Sequence, residues 1–340
     1  MKQLTIAIPS YNVERFLEKC LDSMCGIDER LEVVVVNDGS KDSTSEIAHA
    51  YEKRYPGQVK VVDKENGGHG SGINAGLDAA EGRYYKVVDA DDWITTENLT
   101  PILDAIEQTD VDAIIMGYKT VNISNGVVLE YLPISNSSGR QIDIIKLDDK
   151  FDDVNACLEF HCMCYNTEFL RGTGLRMSEH TFYEDQEYAI LPMAYAESFL
   201  IHPEPLYEYR IGDTTQSTNF ANQAKRADDQ ERVTKRLAET YVSLKPMGLA
   251  RDHFLTRRIT RAIISFYATL LVKHPDKKKG REQAAEFRTW LSETEPNLMR
   301  LADKKYKMFR FMGRFGFVGT LYGKLFNSPS FAKFKKRWIR

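Results

Sequence analysis

Three carboxylates, Asp89, Asp91 and Asp92, follow directly on the apolar run of "YYKVVDADDW", residues 84–93. Carboxylates at i and i+2 behind a buried strand repel one another unless a cation or hydrogen-bond donors compensate them. A hard divalent ion, Mg²⁺ or Mn²⁺, held by one or two carboxylates with substrate phosphates completing its shell, is an economical compensation. The structural alternative is a solvated loop in which Asp91 or Asp92 caps the next helix. Three more polar stretches follow apolar runs: "PSYN" (Pro9–Asn12), "NDGS" (Asn37–Ser40) and "ENGGHGSGINAG" (Glu65–Gly76). By itself "NDGS" reads equally well as a turn or a helix cap. The glycine run lacks the dinucleotide-binding spacing, because Ile73 stands where a third glycine is required. Its glycines would still let backbone amides at a helix start approach an anionic ligand.

The elements that must position these residues alternate. Short β-branched runs at 4–9, 31–38, 59–63, 84–91 and 111–118 read as strands, and three of them are almost continuously apolar, as strands covered on both faces are. Between them lie amphipathic helix candidates at 13–25, 42–55, 70–80 and 97–108. Ser43 or Thr44 ahead of Glu46, and Thr95 or Thr96 ahead of Pro101, supply start signals. The pattern predicts an α/β fold with a mostly parallel open sheet, which binds ligands at the carboxyl ends of its strands. All four polar stretches then converge on one edge. Further on, alternation around Ser124-Asn125-Gly126 predicts a hairpin. Helix is expected near 151–160, a strand over 199–211 and helices over 222–290.

Together "PSYN", "VVVVNDGSKDST", "ENGGHGSGINAG", "VVDADDW" and "YEDQEY" resemble the family 2 glycosyltransferases of the GT-A (Rossmann-like) fold, over about residues 1–215. The resemblance implies a nucleotide-sugar donor, usually a UDP-sugar, and inversion at the anomeric carbon. It implies that Pro9, Tyr11 and Asn12 border the nucleobase and ribose, that Asp38 hydrogen-bonds the uracil N–H, and that Asn66, Gly67 and Asn74 shape the donor pocket. Asp89, Ala90 and Asp91 match the Asp-x-Asp motif, with Asp91 the first choice as metal ligand and Asp89 nearer the ribose. Asp185 matches the catalytic base, although its residue type alone would make it an exposed helix-start acid. Asp92 falls outside the donor site, as a helix-start or acceptor-side group. One departure is Ile73, where many relatives carry Arg; His69 is a candidate substitute. Arg337-Trp338 lacks the glutamine of the Gln-x-x-Arg-Trp motif of processive synthases, which points to single additions. Tyr207, Tyr209 and Arg210 resemble a Tyr/Arg segment ahead of a flexible loop (212–218) and read equally as a packed strand end.

Composition bounds the rest. A chain of 340 residues with 42% hydrophobic and 28% charged residues is ordinary for a globular protein. From Lys304 onward there are 11 basic residues and no acid, which leaves residues 1–303 at about −14 against a net charge of −3. Five cysteines without small-domain spacing suggest reduced thiols. "HCMC" (161–164) reads as buried small hydrophobes rather than half a zinc site. "IISFYATLLV" (263–272) is too short to span a bilayer and reads as a core helix. No export signal is evident at the start. The expected organisation is a catalytic domain over 1–220, a helical region over 221–303 and a basic amphipathic tail over 304–340. The tail carries Phe311, Phe315, Val318, Tyr322 and Leu325 on one helical stripe. It suits an anionic membrane surface or packing on the acidic globule; no nucleic-acid motif accompanies it. The expectation is a cytoplasmic, membrane-peripheral enzyme acting on a glycan or lipid-linked acceptor. The alternatives are a sugar nucleotidyltransferase, which would need a glycine- and base-rich loop after the first strand, and a non-catalytic nucleotide-sugar sensor.

Overall fold

The computed structural model describes residues 1–132, 141–143 (backbone), 159–212 and 224–314. The chain divides into two compact units, Met1–Asp213 with Gly248–Arg251, and Thr214–Met247 with Asp252–Arg340.

In the first unit the apolar runs form strands β1 (Leu4–Ser10), β2 (Leu31–Asn37), β3 (Val59–Asp63) and β4 (Tyr84–Val87). β1 and β2 are buried at every position, which is why they read as continuous rather than alternating apolar sequence. Helices α1 (Leu17–Asp22), α2 (Thr44–Arg54), α3 (His69–Ala79) and α4 (Leu99–Glu107) connect and cover them. Helix α3 lies so close on β1 that a Cβ at Gly76 would sit 2.6 Å from Ala7 Cβ. After α4 come β6 (Ala113–Asn122) and its antiparallel partner β7 (Val128–Tyr131), turning at Gly126 as the hairpin signal required. The remaining strands are β5 (Trp93–Ile94), β8 (Gln141–Asp143), β9 (Met163–Asn166) and β10 (Ser198–Ile211), with helices α5 (Thr167–Gly172) and α6 (Asp185–Ile190).

Among the described residues ten strands make one sheet in the order β3-β2-β1-β4-β9-β6-β10-β5, with β7 on β6 and β8 on β10. β1 to β4 are mutually parallel. β9 runs against both β4 and β6, and β6 is parallel to β10. The carboxyl ends of β1, β2, β3, β4, β6 and β10 therefore share one edge. β9 is the departure from the sequence reading: four residues are too few for a period to show. Cys162, just ahead of β9, and Cys164, within it, are wholly buried, as Cys20 is and Cys25 nearly so. The expected helix near 151–160 falls mainly outside the described residues, and Phe160–Cys162 is a 3-10 turn.

The second unit is helical: α7 (Ala227–Ser243), α8 (Leu249–Ala268) continued by a π-turn over Thr269–Lys273, α9 (Lys277–Thr294) and α10 (Pro296–Met312). Phe266 and Phe287 meet edge to face at 4.9 Å, as do Tyr267 and Tyr306. The 263–272 run is thus core, and no described helix is long and apolar enough to cross a membrane. Helix α10 starts on Pro296 behind a Glu295 side-chain cap and continues unbroken past residue 304, to Met312. Phe315, Val318, Tyr322 and Leu325 lie outside the described residues.

Candidate active site

The acidic turn is set by the strand before it. Val88 N still donates to Ala7 O, after which Asp92 N donates back to Asp89 O at 2.9 Å, closing a four-residue turn with Ala90 and Asp91 at its centre. This leaves the side chains of Asp89 and Asp91 31% and 34% exposed, whereas Asp92 is 1% exposed. Each acid has its own protein partner. His69 Nε2 lies 2.9 Å from Asp89 Oδ1. Arg210 Nη2 donates to Asp91 Oδ2 at 2.7 Å. Asp92 accepts from the Tyr207 hydroxyl at 2.5 Å and from Arg210 N at 2.7 Å. Asp92 therefore caps no helix, contrary to one of the sequence alternatives; it ties the end of β10 to the turn.

Charge compensation by these donors is incomplete. Burial raises the Asp89 carboxyl, but the charge and hydrogen bond of His69 outweigh that and hold it below the usual range. Burial and the neighbouring Asp89 raise Asp91 despite Arg210. Asp92 is pushed well up by burial and by both neighbours. A carboxylate oxygen from each of the three lies within 4.8 Å of the others. Asp92 has both oxygens engaged, while Asp89 Oδ2 and Asp91 Oδ1 stand outside the bonds above. Two half-exposed hard oxygen donors on one turn fit Mg²⁺ or Mn²⁺.

The residues expected to border the donor lie along the same edge but are linked differently from one another. Asp38, at the end of β2 and 2% exposed, accepts from Gly67 N at 2.9 Å, Gly68 N at 2.8 Å and Lys64 Nζ at 2.8 Å. Asn66 Nδ2 donates to Asp38 O at 2.9 Å. The two amides just ahead of α3, Gly67 N and Gly68 N, are thus spent on the protein's own carboxylate, while those of the helix's first turn, residues 69–71, are not bonded to it. Of roughly four acceptor positions on a carboxylate, three are filled, two on Oδ1 and one on Oδ2. Asn74 is buried and clamps the segment 177–179, donating to Met177 O at 2.9 Å and accepting from Met177 N at 2.8 Å. Asn12 is exposed at φ 53° and is fixed by Ser40 and Lys41. Pro9 is buried in β1, and Tyr11 is 49% exposed beside it.

The opposite wall is built from 177–190. Ser178 N and Oγ both donate to Glu187 at 2.8 Å, and His180 N donates to Gly67 O at 2.7 Å. Gly70 is obligatory here, since a Cβ would lie 2.1 Å from Ser178 O. His180 and Tyr183 have φ of 51° and 74°, and with Asn12 they are the positive-φ non-glycine residues of the described chain. Each costs about 1–3 kcal/mol, and such strain gathers at functional sites. Tyr183 delivers Glu184, 4% exposed, and then Asp185, the first residue of α6, which is exposed. Surrounding protein and the adjacent Glu184 push the Asp185 carboxyl up to about 7. Solvent reaches this side chain and screens part of that push, so about 7 is its upper limit. His69 joins the two walls: Nδ1 lies 2.7 Å from Glu184 Oε1. Burial opposes the imidazolium, but the two carboxylates override it and raise the ring well above its usual pKa.

Sequence reasoning named His69 only as a replacement for a missing arginine; its position inside the glycine run, facing two acids, was the available signal. It missed Glu187; it offered a packed strand end for Tyr207, which is what the structure has, and the buried hydroxyl also accepts from Asp89 N at 3.1 Å. Arg210 is buried at the end of β10, over the Phe16 ring at 4.3 Å; most of the loop after it lies outside the described residues. His161 stacks between Tyr118 at 5.1 Å and Tyr209 at 4.5 Å. A cavity of about 750 Å³ lined by Met1, Gly26, Arg30, Gln58 and Glu81 opens at the amino ends of the strands and contains none of these residues.

A mostly parallel α/β sheet carrying an Asp-x-Asp turn on its carboxyl edge, faced by an acidic helix start, defines a GT-A-type fold. Residues 5–169 match the model of glycosyl transferase family 2. The chain is 28% identical to the glycosyltransferase EpsJ of Bacillus subtilis (strain 168) over 212 residues, 61% of this chain and 60% of EpsJ. Over 125 residues it is 32% identical to the poly(ribitol-phosphate) beta-N-acetylglucosaminyltransferase TarS of Staphylococcus aureus (strain Mu50), 36% of this chain and 22% of TarS. The chain thus spans less than two thirds of the length of these relatives. The crystal structure of S. aureus TarS 1–349 superposes with a TM-score of 0.64 at 19% identity, covering 95% of this chain and 92% of that one. The same fragment is known in complex with UDP-GlcNAc.

Proposed function

We propose that this chain transfers a sugar from a nucleotide sugar, specifically a UDP-sugar, to a hydroxyl of a glycan or lipid-linked acceptor, inverting the anomeric carbon. The observation that carries the proposal is the pairing of Asp185, exposed and with its carboxyl pushed toward neutrality, with the Asp89–Asp91 turn on the same edge. The UDP-GlcNAc complex of TarS supports the choice of donor. In this reading Pro9, Tyr11, Asn12, Asn66, Gly67 and Asn74 line the nucleotide side, and the remaining acceptor position on Asp38 receives the base N–H.

Asp185 takes the proton from the acceptor hydroxyl as that oxygen's lone pair forms the bond to the anomeric carbon. The bond from that carbon to the diphosphate oxygen breaks, and the electron pair leaves with the nucleoside diphosphate. A single displacement without a protein nucleophile inverts the centre. Asp91 and Asp89 would hold Mg²⁺ or Mn²⁺, which when bound neutralises charge growing on the diphosphate. Arg210, buried beside Asp91, is placed to add positive charge on that side. Residues 1–220 act as the catalytic domain in this scheme and 221–303 as a helical region. The basic segment 304–340 brings the enzyme to the anionic cytoplasmic face of a membrane.

The test is a screen of nucleotide sugars for Mn²⁺-dependent release of UDP, repeated with Asp185→Asn. We expect release with one donor and a loss of about 10²–10⁴-fold in the variant. Release by Asp185→Asn at the wild-type rate would overturn the assignment. Chains ending at residue 314, which keep α10 whole, should lose co-sedimentation with anionic vesicles; full retention would remove the membrane role.

A further inference from the structure

The donor wall and the base wall come from segments roughly a hundred residues apart in sequence, and the reaction needs them at a fixed separation. Most bonds within the base wall leave that separation open. Asn74 holds 177–179 on helix α3, and Glu187 holds Ser178 on helix α6. None of these reaches the Asp89 turn. His69 does, because one ring nitrogen faces Asp89 Oδ1 at 2.9 Å and the other faces Glu184 Oε1 at 2.7 Å. The ring packs edge-on against Phe160 at 5.9 Å, which limits its rotation. Glu184 has nothing else of this kind among the described residues: its Oε2 is buried without a hydrogen-bond partner. Because Gly70, next to His69, admits the backbone of Ser178 and the Glu184 side chain against α3, the first turn of that helix touches both walls.

We propose that His69 is a positioning residue, a two-point strap that fixes the Glu184–Asp185 pair relative to the Asp89–Asp91 turn. This deepens the glycosyltransferase reading and rests on it for its kinetic consequences. The strap acts through Glu184 on the base, so severing either end has the same result. A misplacement of about 1 Å costs about 10²-fold in rate, while contacts to the nucleotide are left in place.

The test uses His69→Leu, Glu184→Leu and the double variant in the full chain. Hydrogen exchange is followed over 89–93 and 184–190, alongside kcat and donor KM. His69→Leu should raise exchange in both segments together. Each single variant should lower kcat about 10–100-fold with donor KM moved less than about threefold, and the double variant should be no slower than the slower single, as for groups acting as one unit. Multiplying losses, or a lowered Tm with kcat unchanged, would overturn the strap. Unchanged exchange at 184–190 in His69→Leu would overturn it whatever the turnover. Coupled exchange in a chain that releases no UDP from any nucleotide sugar would keep the strap and sink the enzymatic reading instead.

Discussion

The position of Asp185 makes a specific demand on the pH dependence of the reaction. An ordinary aspartate, near 3.8, is fully ionised above pH 5.5, so a base of that kind gives a flat rate from pH 5.5 to 8. Here the surrounding protein and Glu184 push the carboxyl up toward about 7, its upper limit. With that value roughly a tenth of the molecules carry the ionised base at pH 6 and roughly nine-tenths at pH 8. Since the ionised form is the active one, kcat/KM should rise over this interval by up to about tenfold, the full factor holding at the upper limit of about 7. A divalent ion at Asp89 offsets the upward contribution of that acid, and solvent screening works in the same direction. The apparent value at saturating metal should therefore fall below about 7 and above that of an ordinary aspartate. The assay is UDP release at low donor concentration across pH 5 to 8.5, with binding of UDP checked at each pH. The same shift has a sign for stability. A raised aspartate binds its proton more tightly in the folded state, so its contribution weakens as pH rises from 3.8 toward 7. Asp185→Asn should accordingly unfold no earlier than the wild type at pH 7.5. A flat profile from pH 5.5 to 8, or an Asp185→Asn protein that melts well below the wild type, would refute the reasoning.

Tyr207→Phe removes a buried hydroxyl that donates to Asp92 and accepts from Asp89 N; we expect about 2–4 kcal/mol of destabilisation, read by denaturant unfolding, and a change under 0.5 kcal/mol would count against that bridge. Gly70→Ala forces a Cβ to 2.1 Å from Ser178 O, so it should cost about 1–3 kcal/mol or more and reduce transfer more than UDP binding; a fully active variant would mean that the wall can yield. Arg210→Gln frees Asp91 Oδ2, and calorimetry without nucleotide should then show Mn²⁺ binding several-fold tighter, because a competing cation has gone; weaker binding would show that Arg210 assists the ion rather than competing with it.

How much of this was legible in sequence depended on how local each cause is. The strands β1 to β4 and the helices between them are written in their apolar periods, and the acidic turn, the glycine run and the Glu184-Asp185 pair are each contiguous. What escaped was pairing at long range. Four residues of β9 carry no period, and their place between β4 and β6 is fixed only by the folded sheet. The amides of Gly67 and Gly68 looked available until β2 brought Asp38 beneath them. Asp92 looked like a cap until β10, more than a hundred residues on, supplied Tyr207 and the Arg210 amide.

The same long-range partners alter the meaning of the acidic turn. Sequence alone required some compensation and pointed to a metal ion. The fold supplies His69, Tyr207 and Arg210, so the three acids can be assembled in advance by protein groups. That arrangement has a cost for the ion, which must compete with Arg210 for Asp91 and finds Asp89 already drawn to His69. Charge-assisted hydrogen bonds of this kind are worth about 1.5–3 kcal/mol each. Binding of Mg²⁺ or Mn²⁺ alone is therefore expected to be weak. A diphosphate arriving with the ion supplies oxygen ligands to it and a new anionic partner for Arg210, offsetting both losses at once. Metal and nucleotide should accordingly bind with positive coupling: the Mn²⁺ affinity measured with saturating UDP should exceed that without it by at least tenfold in the wild type, and by less in Arg210→Gln. Equal affinities with and without UDP would mean that the acidic turn and the nucleotide site are independent, and the account of why these three carboxylates share a turn would fail.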